Sequence, residues 1–219
     1  MKPRLLPLGD SAVLIHFGDE IDPGVNQRVH ALNALMQADK PKGVIETVPA
    51  YATLLLHYDP LQLTYAEASG WVHSEMDKVI TAALREPRRI VIPVRYGGTS
   101  GPDLDFVAAY HKLSVREVVR IHTERLYVVY MMGFTPGFAY MGKLDDQIAT
   151  PRLETPRTKV PAGSVGIAGA QTGIYPIDSP GGWRIIGRTE VQIFDPAADP
   201  PFLFSPGDTV QFVMEAVDA

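Results

Sequence analysis

The sequence predicts an α+β protein of two domains, residues 1–86 and residues 87–219. The first region alternates strand-like and helix-like apolar patterns. Residues 133–207 instead contain 11 glycines and 10 prolines in 75 residues, with short strand-like segments between them. Short strands separated by frequent glycine and proline residues are typical of a β-barrel or a compact sandwich. Residues 86–89 are charged and include Pro87, so we place the domain boundary there.

The first region begins with a strand and a helix. Residues 12–17 are an apolar strand-like run, and Gly9 and Asp10 before it suit a hairpin turn. Asp22 followed by Pro23 is a helix N-cap with proline at the first helical position. The spacing of three and four that follows predicts one buried helix face, which comprises Val25, Val29, Leu32, Leu35 and Met36.

Two further strands and a second helix complete this region. Residues 44–48 and 53–58 are strand-like, and Thr64 with Glu67 forms a capping box that starts the helix. This helix should end before Pro87. The predicted order is ββαββα, with helices packed on an antiparallel sheet. The buried side of the second helix carries Trp71, Val72, Val79, Ile80 and Leu84.

The second region opens with a strand at residues 90–96. One short helix is predicted near Pro102 and another from Ser114, whose partner Glu117 completes a second capping box. Proline followed by glycine at residues 206–207 predicts a type II turn. The remaining strand-like segments are residues 126–132, 165–168, 183–186, 191–194 and 209–214.

Composition excludes several classes of function. The net charge is −5 and no basic stripe is present, which argues against binding to nucleic acid or to an anionic membrane. The chain has no cysteine, which excludes disulfides, thiolate nucleophiles and cysteine-ligated metals. The N-terminus reaches Asp10 before an apolar stretch could form, so we expect no signal peptide and no membrane span, and a cytoplasmic location.

Motifs for common cofactors are absent. The glycine-rich residues 97–101 lack the lysine of a phosphate-binding loop, and no GxGxxG occurs. Ser164 only partly matches a nucleophile elbow, because strand and turn follow it where a helix is required. The six histidines show no metal-ligand spacing, so no metal site is expected. His122 is the candidate acid or base if it points into the barrel mouth, and is otherwise structural.

The candidate site lies in three glycine- and proline-rich segments. Rigid turns that carry aromatic and polar side chains are how loops form a small-molecule pocket. The alternatives are that the aromatic residues fill the barrel or that the segments dock a partner. The residues assigned to this substrate-binding or partner surface are Phe134, Pro136, Gly137, Phe138, Gln171, Thr172, Gly173, Tyr175, Gly181, Gly182 and Trp183.

Two cations lie shortly before the strand-like residues 165–168. Arg157 and Lys159 alternate across one residue, so in an extended segment they point to the same side. Arginine suits a planar carboxylate and lysine supplies a point charge, which predicts that both bind an anionic group. The alternative is a solvated basic edge that discourages strand aggregation.

Five motifs in fixed order carry a resemblance that covers nearly the whole chain. They are GFTPGFAYMG, TPR(x)3PRxxVPAGSVGI, QTGIYPxxSPGGWRIIGRT, FDP and SPGD, with LGDSAVLIHFG and IPVRYGG before them. The chain resembles allophanate hydrolase subunit 1, also called the KipI family. The resemblance implies a ferredoxin-like N-terminal α/β sandwich and a cyclophilin-like C-terminal β-barrel.

Bacterial stand-alone members of that family include the B subunit of 5-oxoprolinase. The resemblance therefore implies ATP-dependent cleavage of 5-oxo-L-proline to L-glutamate. The implied partners are a KipA-like C subunit, together with a lactam-utilisation-type A subunit. ATP would be bound in the assembled complex and not by this chain alone, which agrees with the missing phosphate-binding loop.

The resemblance leaves other functions open. One family member inhibits a sensor histidine kinase, so a KipI-like inhibitor is the alternative hypothesis. Related domains occur in urea carboxylase, but the stand-alone length argues against that enzyme. A prolyl isomerase would rest on the cyclophilin-like fold alone, and fold does not determine function.

Overall fold

The computed structural model describes residues 3–79 and 87–218. The chain divides into two compact units, Met1–Glu86 and Pro87–Ala219, which we describe separately. Within the described part of the chain, no helix is both long enough and apolar enough to cross a bilayer.

The first unit packs two helices against one four-stranded antiparallel sheet in the order β1-β2-β4-β3. Its core combines the inward side chains of β2 and β4 with one face of each helix. The order ββαββα agrees with the prediction, whereas the ferredoxin-like assignment stays a prediction. The elements are β1 (Arg4–Pro7), β2 (Ala12–His16), α1 (Pro23–Ala38), β3 (Val44–Pro49), β4 (Thr53–Tyr58) and α2 (Tyr65–Val79).

Local hydrogen bonds start both helices where the sequence predicts. The Asp22 carboxylate accepts from the Val25 amide at 2.8 Å. The Thr64 hydroxyl accepts from the Glu67 amide, and the Glu67 carboxylate accepts from the Thr64 amide. Both arrangements satisfy amides that the first helical turn leaves unpaired. The predicted buried residues Ile80 and Leu84 lie outside the described residues.

The second unit is a closed barrel of seven strands in the order β10-β7-β6-β13-β5-β12-β9. Among the pairings found in the described residues, β5 and β13 are parallel and all the others are antiparallel. Strands β8 and β11 form a separate two-stranded sheet. The α+β class with a barrel is therefore confirmed. The elements are β5 (Arg89–Gly97), α3 (Leu104–His111), α4 (Val115–Glu124), β6 (Leu126–Met132), β7 (Ala139–Gly142), β8 (Arg157–Val160), β9 (Ser164–Ala168), β10 (Gln171–Ile174), β11 (Ser179–Gly181), β12 (Arg184–Arg188) and β13 (Thr209–Asp218).

The predicted strand at residues 191–194 is wrong. The segment forms only an isolated bridge between Phe194 and Phe202, whose rings stack at 5.3 Å. Ile193 is buried in the main core of the unit. The apolar residues of this segment therefore pack a loop against the core instead of pairing along a strand.

The predicted turn before the last strand is confirmed. Gly207 has φ 86°, and the Asp208 amide donates to the Ser205 carbonyl at 3.0 Å. The Asp208 carboxylate is fully buried and accepts from the Ser205 amide and from Arg88. Because a buried charge needs such partners, this turn is anchored next to the first residues of β5.

Candidate functional site

Five aromatic side chains of the second unit meet in one group, which we call the aromatic cluster: Phe134, Phe138, Tyr140, Tyr175 and Trp183. Phe138 lies at its centre, with ring centroids 4.9 to 5.5 Å from the other four in edge-on contacts. Such arrangements suit the ring quadrupoles. Phe134 is 60% exposed and Tyr140 is partly exposed, so the cluster forms an apolar floor that reaches the surface.

Two glycines allow the rings to pack this closely. A Cβ atom on Gly173 would lie 3.2 Å from Cζ of Phe138 and 2.9 Å from the carbonyl oxygen of Ala139. A Cβ atom on Gly181 would overlap the Tyr175 hydroxyl. Their role in the structure is therefore to admit the aromatic rings.

The turn that presents Phe134 is tightly bonded to itself. The Gly133 amide donates to the Phe138 carbonyl, and the Phe138 amide donates to the Thr135 carbonyl. Phe134 has φ 67°, which is unusual for a residue with a side chain. Within this turn Pro136 is exposed and Gly137 is buried.

A cation lies at the rim of the cluster. The guanidinium of the exposed Arg152 lies 5.9 Å from the Trp183 ring centroid. Burial raises the pKa of Tyr140 and of Tyr175, while the charge of Arg152 acts in the opposite direction on both. Both phenols are therefore protonated at neutral pH and can donate hydrogen bonds.

Arg157 lies beside the cluster but is paired. Its Nη2 donates to Oδ1 of Asp103 at 2.8 Å, and its Nη1 donates to the Trp183 carbonyl at 3.4 Å. Asp103 is buried, and its Oδ2 accepts from the Ile185 amide at 2.7 Å. The guanidinium therefore balances a buried carboxylate, which does not support the prediction that it binds an external anion.

Lys159 is also paired, although at the surface. Its Nζ lies 2.7 Å from Oδ2 of Asp178, and the two side chains are 70% and 52% exposed. The pKa of Asp178 is lowered, first by its hydrogen bond with Lys159 and then by that with the Ala162 amide. This ion pair fits the alternative of a solvated edge better than an anion site.

His122 lies in the main core of the second unit and is 0% exposed. Its Nδ1 is 2.8 Å from the Tyr96 hydroxyl and its Nε2 is 3.0 Å from Oγ1 of Thr172. Thr172 Oγ1 also lies 3.1 Å from the Gly166 carbonyl. A consistent chain follows, in which Tyr96 donates to Nδ1, Nε2–H donates to Thr172, and Thr172 donates to Gly166.

Burial lowers the pKa of His122 to about 3, so the ring is neutral at physiological pH. Its ring lies 4.6 Å from that of Phe212 and 5.4 Å from that of Tyr127. The acid–base hypothesis required His122 to point into a mouth of the barrel, and this condition is not met. The residue instead has the structural role that was its alternative.

The two polar residues of β10 point to opposite faces of the strand. Thr172 is 0% exposed and its hydroxyl is a hydrogen-bond partner of His122, which does not support its predicted place in a ligand pocket. Successive side chains of a strand point to opposite faces, so Gln171 shares with Gly173 the side that faces the aromatic cluster. Gln171 is partly exposed there. Gln171 therefore lies on the same face of β10 as Gly173, and Thr172 lies on the opposite, buried face.

Sequence reasoning missed three residues of this region. Asp103, Tyr140 and Arg152 were not singled out, although Tyr140 and Arg152 lie within the motifs that carry the resemblance. Tyr140 could have been found because it is two residues from Phe138 in an extended segment. Across residues 3–79 and 87–218 no group of three potential metal ligands occurs.

Residues 3–204 match the family described as carboxyltransferase domain, subdomain C and D. The chain belongs to this family.

Relatives in this carboxyltransferase-domain family match over nearly the full length. The 5-oxoprolinase B subunit of Bacillus subtilis (strain 168) is 46% identical, over 97% of this chain and 93% of that protein. The 5-oxoprolinase B subunit of Escherichia coli O157:H7 is 42% identical, over 97% and 96%. The predicted resemblance is therefore confirmed, and these names favour the oxoprolinase hypothesis over a kinase inhibitor.

A solved structure has the same fold as this chain. The crystal structure of TTHA0988 superposes with a TM-score of 0.82 at 37% identity over 93% of this chain. The chain spans 39% of the length of that protein.

Arg157→Ala should lower the free energy of unfolding by about 2 kcal/mol, because Asp103 would keep a buried carboxylate without its cation. The expected loss is below that of a fully buried pair, because Arg157 is 30% exposed. Urea unfolding followed by circular dichroism measures it. Lys159→Ala, which breaks an exposed pair, is the control and should leave the unfolding midpoint nearly unchanged. An Arg157→Ala variant as stable as the wild type would contradict the structural role.

His122→Asn should flatten the dependence of stability on acid pH. The folded state holds His122 neutral down to about pH 3, whereas the unfolded chain binds a proton near pH 6.5. Wild-type stability should therefore fall as the pH drops through this window, by up to about 1.4 kcal/mol per unit for this one group.

The comparison uses urea unfolding between about pH 4 and 6. Thr172→Val is the matched control, because it removes the hydrogen-bond partner of His122 and keeps the titrating ring. It should be less stable than the wild type at every pH but retain the slope. Equal slopes in His122→Asn and the wild type would show that His122 titrates normally in the folded protein.

Proposed function

We propose that this chain is the B subunit of an ATP-dependent 5-oxoprolinase. The observation that carries the proposal is the identity of 46% and 42%, over 97% of the chain, with two proteins named as the B subunit of 5-oxoprolinase. In the proposed reaction, 5-oxo-L-proline, ATP and water give L-glutamate, ADP and phosphate. Coupling to ATP is needed because an unstrained lactam opens with difficulty at neutral pH, and ATP can activate its carbonyl oxygen.

The chain acts in this proposal together with two partner proteins. A KipA-like C subunit pairs with the barrel, and a lactam-utilisation-type A subunit joins them to complete the enzyme in the cytoplasm. The designation as a B subunit, shared by both relatives, supports a multi-subunit enzyme. The ferredoxin-like and cyclophilin-like assignments of the two units belong to the same proposal.

The aromatic cluster is the proposed place for the substrate ring. It combines an apolar floor at the surface with hydrogen-bond groups on Tyr140 and Gln171 and a cation on Arg152. A small ring with a carboxylate and an amide needs this mixture of groups. The proposal places the site on the outside of the barrel, since side chains fill the interior of barrels of this size.

The glycine-rich turn at residues 97–101 does not fit a nucleotide phosphate. The Gly101 amide donates to the Gly97 carbonyl at 2.7 Å, and a Cβ atom on Gly101 would overlap the Ile186 carbonyl. The turn is therefore closed on itself and packed against β12. In this proposal ATP is bound by the assembled complex.

Reconstitution tests the proposed function. The chain is mixed with the two presumed partner proteins, and glutamate and ADP are measured from 5-oxo-L-proline and ATP. We expect both products in equal amounts, and neither when this chain is left out. Full activity of the two partners alone would refute the proposal. Loss of autophosphorylation when the chain is added to a sensor kinase of the same genome would favour the inhibitor instead.

The isolated chain should bind ATP only weakly, because its glycine-rich turn after β5 offers no lysine for phosphate and is closed by its own hydrogen bond. Titration calorimetry with ATP on the chain alone should give a dissociation constant above about 1 mM, the weak end of the affinity scale. The assembled complex is the positive control. A micromolar dissociation constant for the isolated chain would overturn this prediction.

A further inference from the structure

We propose that Arg152 is the residue that binds the carboxylate of the ligand at the aromatic cluster. The identity of the ligand as 5-oxoproline rests on the proposed function, whereas the assignment of the carboxylate to this arginine rests on the geometry. Two other cations, Arg157 and Lys159, were the sequence-based candidates for the same task.

The three cations differ in the groups that they contact. Arg157 balances the buried Asp103, and Lys159 is paired with Asp178. Arg152 is exposed, and across the described ranges no carboxylate pairs with it. Its guanidinium instead lies over the face of the Trp183 ring. Binding a ligand carboxylate at Arg152 therefore breaks no existing ion pair.

The backbone at Arg152 is anchored on both sides. The Pro151 carbonyl accepts from Nε of Arg184 at 3.3 Å, and the Leu153 amide donates to the Gly182 carbonyl at 2.8 Å. Both partners flank Trp183 in sequence. The arginine is thus held next to the cluster before a ligand arrives, which reduces the entropy lost on binding.

The side chain of Arg152, at the rim of the cluster, suits a carboxylate. An arginine carries five N–H donors in a planar fork that matches the two oxygens of a carboxylate. The Trp183 ring supports this guanidinium from one side through the cation–π contact. The field of Arg152 reaches Tyr140 and Tyr175, whose pKa values it lowers against the effect of burial. The charge of Arg152 therefore acts within the aromatic cluster, where Tyr140 is partly exposed.

The ligand class follows from these groups. The guanidinium takes a carboxylate, and the floor takes a small apolar ring. A five-membered ring that carries a carboxylate, such as that of 5-oxoproline, has both features. The competing explanation is that Arg152 serves only to fasten residues 151–153 onto Trp183 by its cation–π contact.

Two probes separate these explanations in the assembled enzyme. Cyclopentanecarboxylate carries the carboxylate without the lactam, and 2-pyrrolidone carries the lactam without the carboxylate. Both are measured as competitive inhibitors of 5-oxoproline turnover, with the wild type and with Arg152→Gln, Arg152→Lys and Arg116→Gln. Arg116 is the matched control, since it is an exposed arginine of α4 that likewise has no ion pair among the described residues.

Arg152→Gln should raise KM for 5-oxoproline and weaken inhibition by cyclopentanecarboxylate by the same factor, about 10- to 100-fold for a lost charge-assisted contact. Inhibition by 2-pyrrolidone, kcat and the unfolding temperature should stay close to the wild type. Arg152→Lys should give a KM and an inhibition constant for cyclopentanecarboxylate between those of the wild type and Arg152→Gln. Lysine keeps the charge but lacks the planar fork of N–H donors. Arg116→Gln should match the wild type.

Three outcomes would overturn the inference. The first is an unchanged KM in Arg152→Gln while the wild type turns over 5-oxoproline. The second is an equal loss for both probes, and the third is a loss confined to the unfolding temperature, as a fastening role requires. Each of these leaves the proposed function standing.

A separate measurement keeps the inference testable if the reconstituted wild type has no activity, which would refute the proposed function. The chain has two tryptophans, so Trp183 is the only tryptophan of this chain in a Trp71→Phe background. This chain alone is labelled with 5-fluorotryptophan before assembly, and the fluorine resonance of Trp183 in the full complex is titrated with cyclopentanecarboxylate. A saturable change that Arg152→Gln abolishes would support carboxylate binding at this arginine, and a titration without change, or one equal in both proteins, would refute it.

Discussion

The candidate site depends on one buried carboxylate, that of Asp103. Its Oδ2 accepts from the Ile185 amide, its Oδ1 accepts from Arg157, and its own amide donates to the Ile185 carbonyl. One residue at the start of α3 thereby joins β12 and β8. Arg157 also donates to the Trp183 carbonyl, so the same group fixes the backbone of the indole. Because a buried charge without partners is strongly destabilising, the folded state strongly favours this arrangement of Asp103 and its partners.

A second group of polar side chains lies in the barrel interior, on the opposite side of β10 from the aromatic cluster. His122, Tyr96 and Thr172 satisfy one another in the core, and burial keeps the imidazole neutral. The strand that supplies Thr172 to this chain turns its next residue, Gly173, toward the aromatic cluster. The buried hydrogen bonds of His122 therefore lie on one side of β10 and the aromatic cluster lies on the other. For this reason His122 is not part of the candidate site.

Sequence patterns predicted most of the elements and part of the site. The strand at residues 126–132, both capping boxes and the turn at Gly207 follow from local rules and occur as predicted. The aromatic residues of the site also come together. The assignment of Arg157 to an external anion failed because its partner Asp103 lies 54 positions away, and no local pattern shows that pairing. The strand at residues 191–194 failed because its apolar residues pack a loop.

The sequence by itself determined the features that act over three or four residues, together with the family, whose motifs are continuous segments. Helix starts at Asp22 and Ser114 need only their own side chain and the next turn. Tertiary structure decided which charges are paired, which face of β10 is buried and which of the three cations has no carboxylate partner among the described residues. Arg152 meets Trp183 only because two distant hydrogen bonds hold its neighbours. Charge and burial depend on contacts between residues far apart in the chain, and these exist only once the barrel has closed.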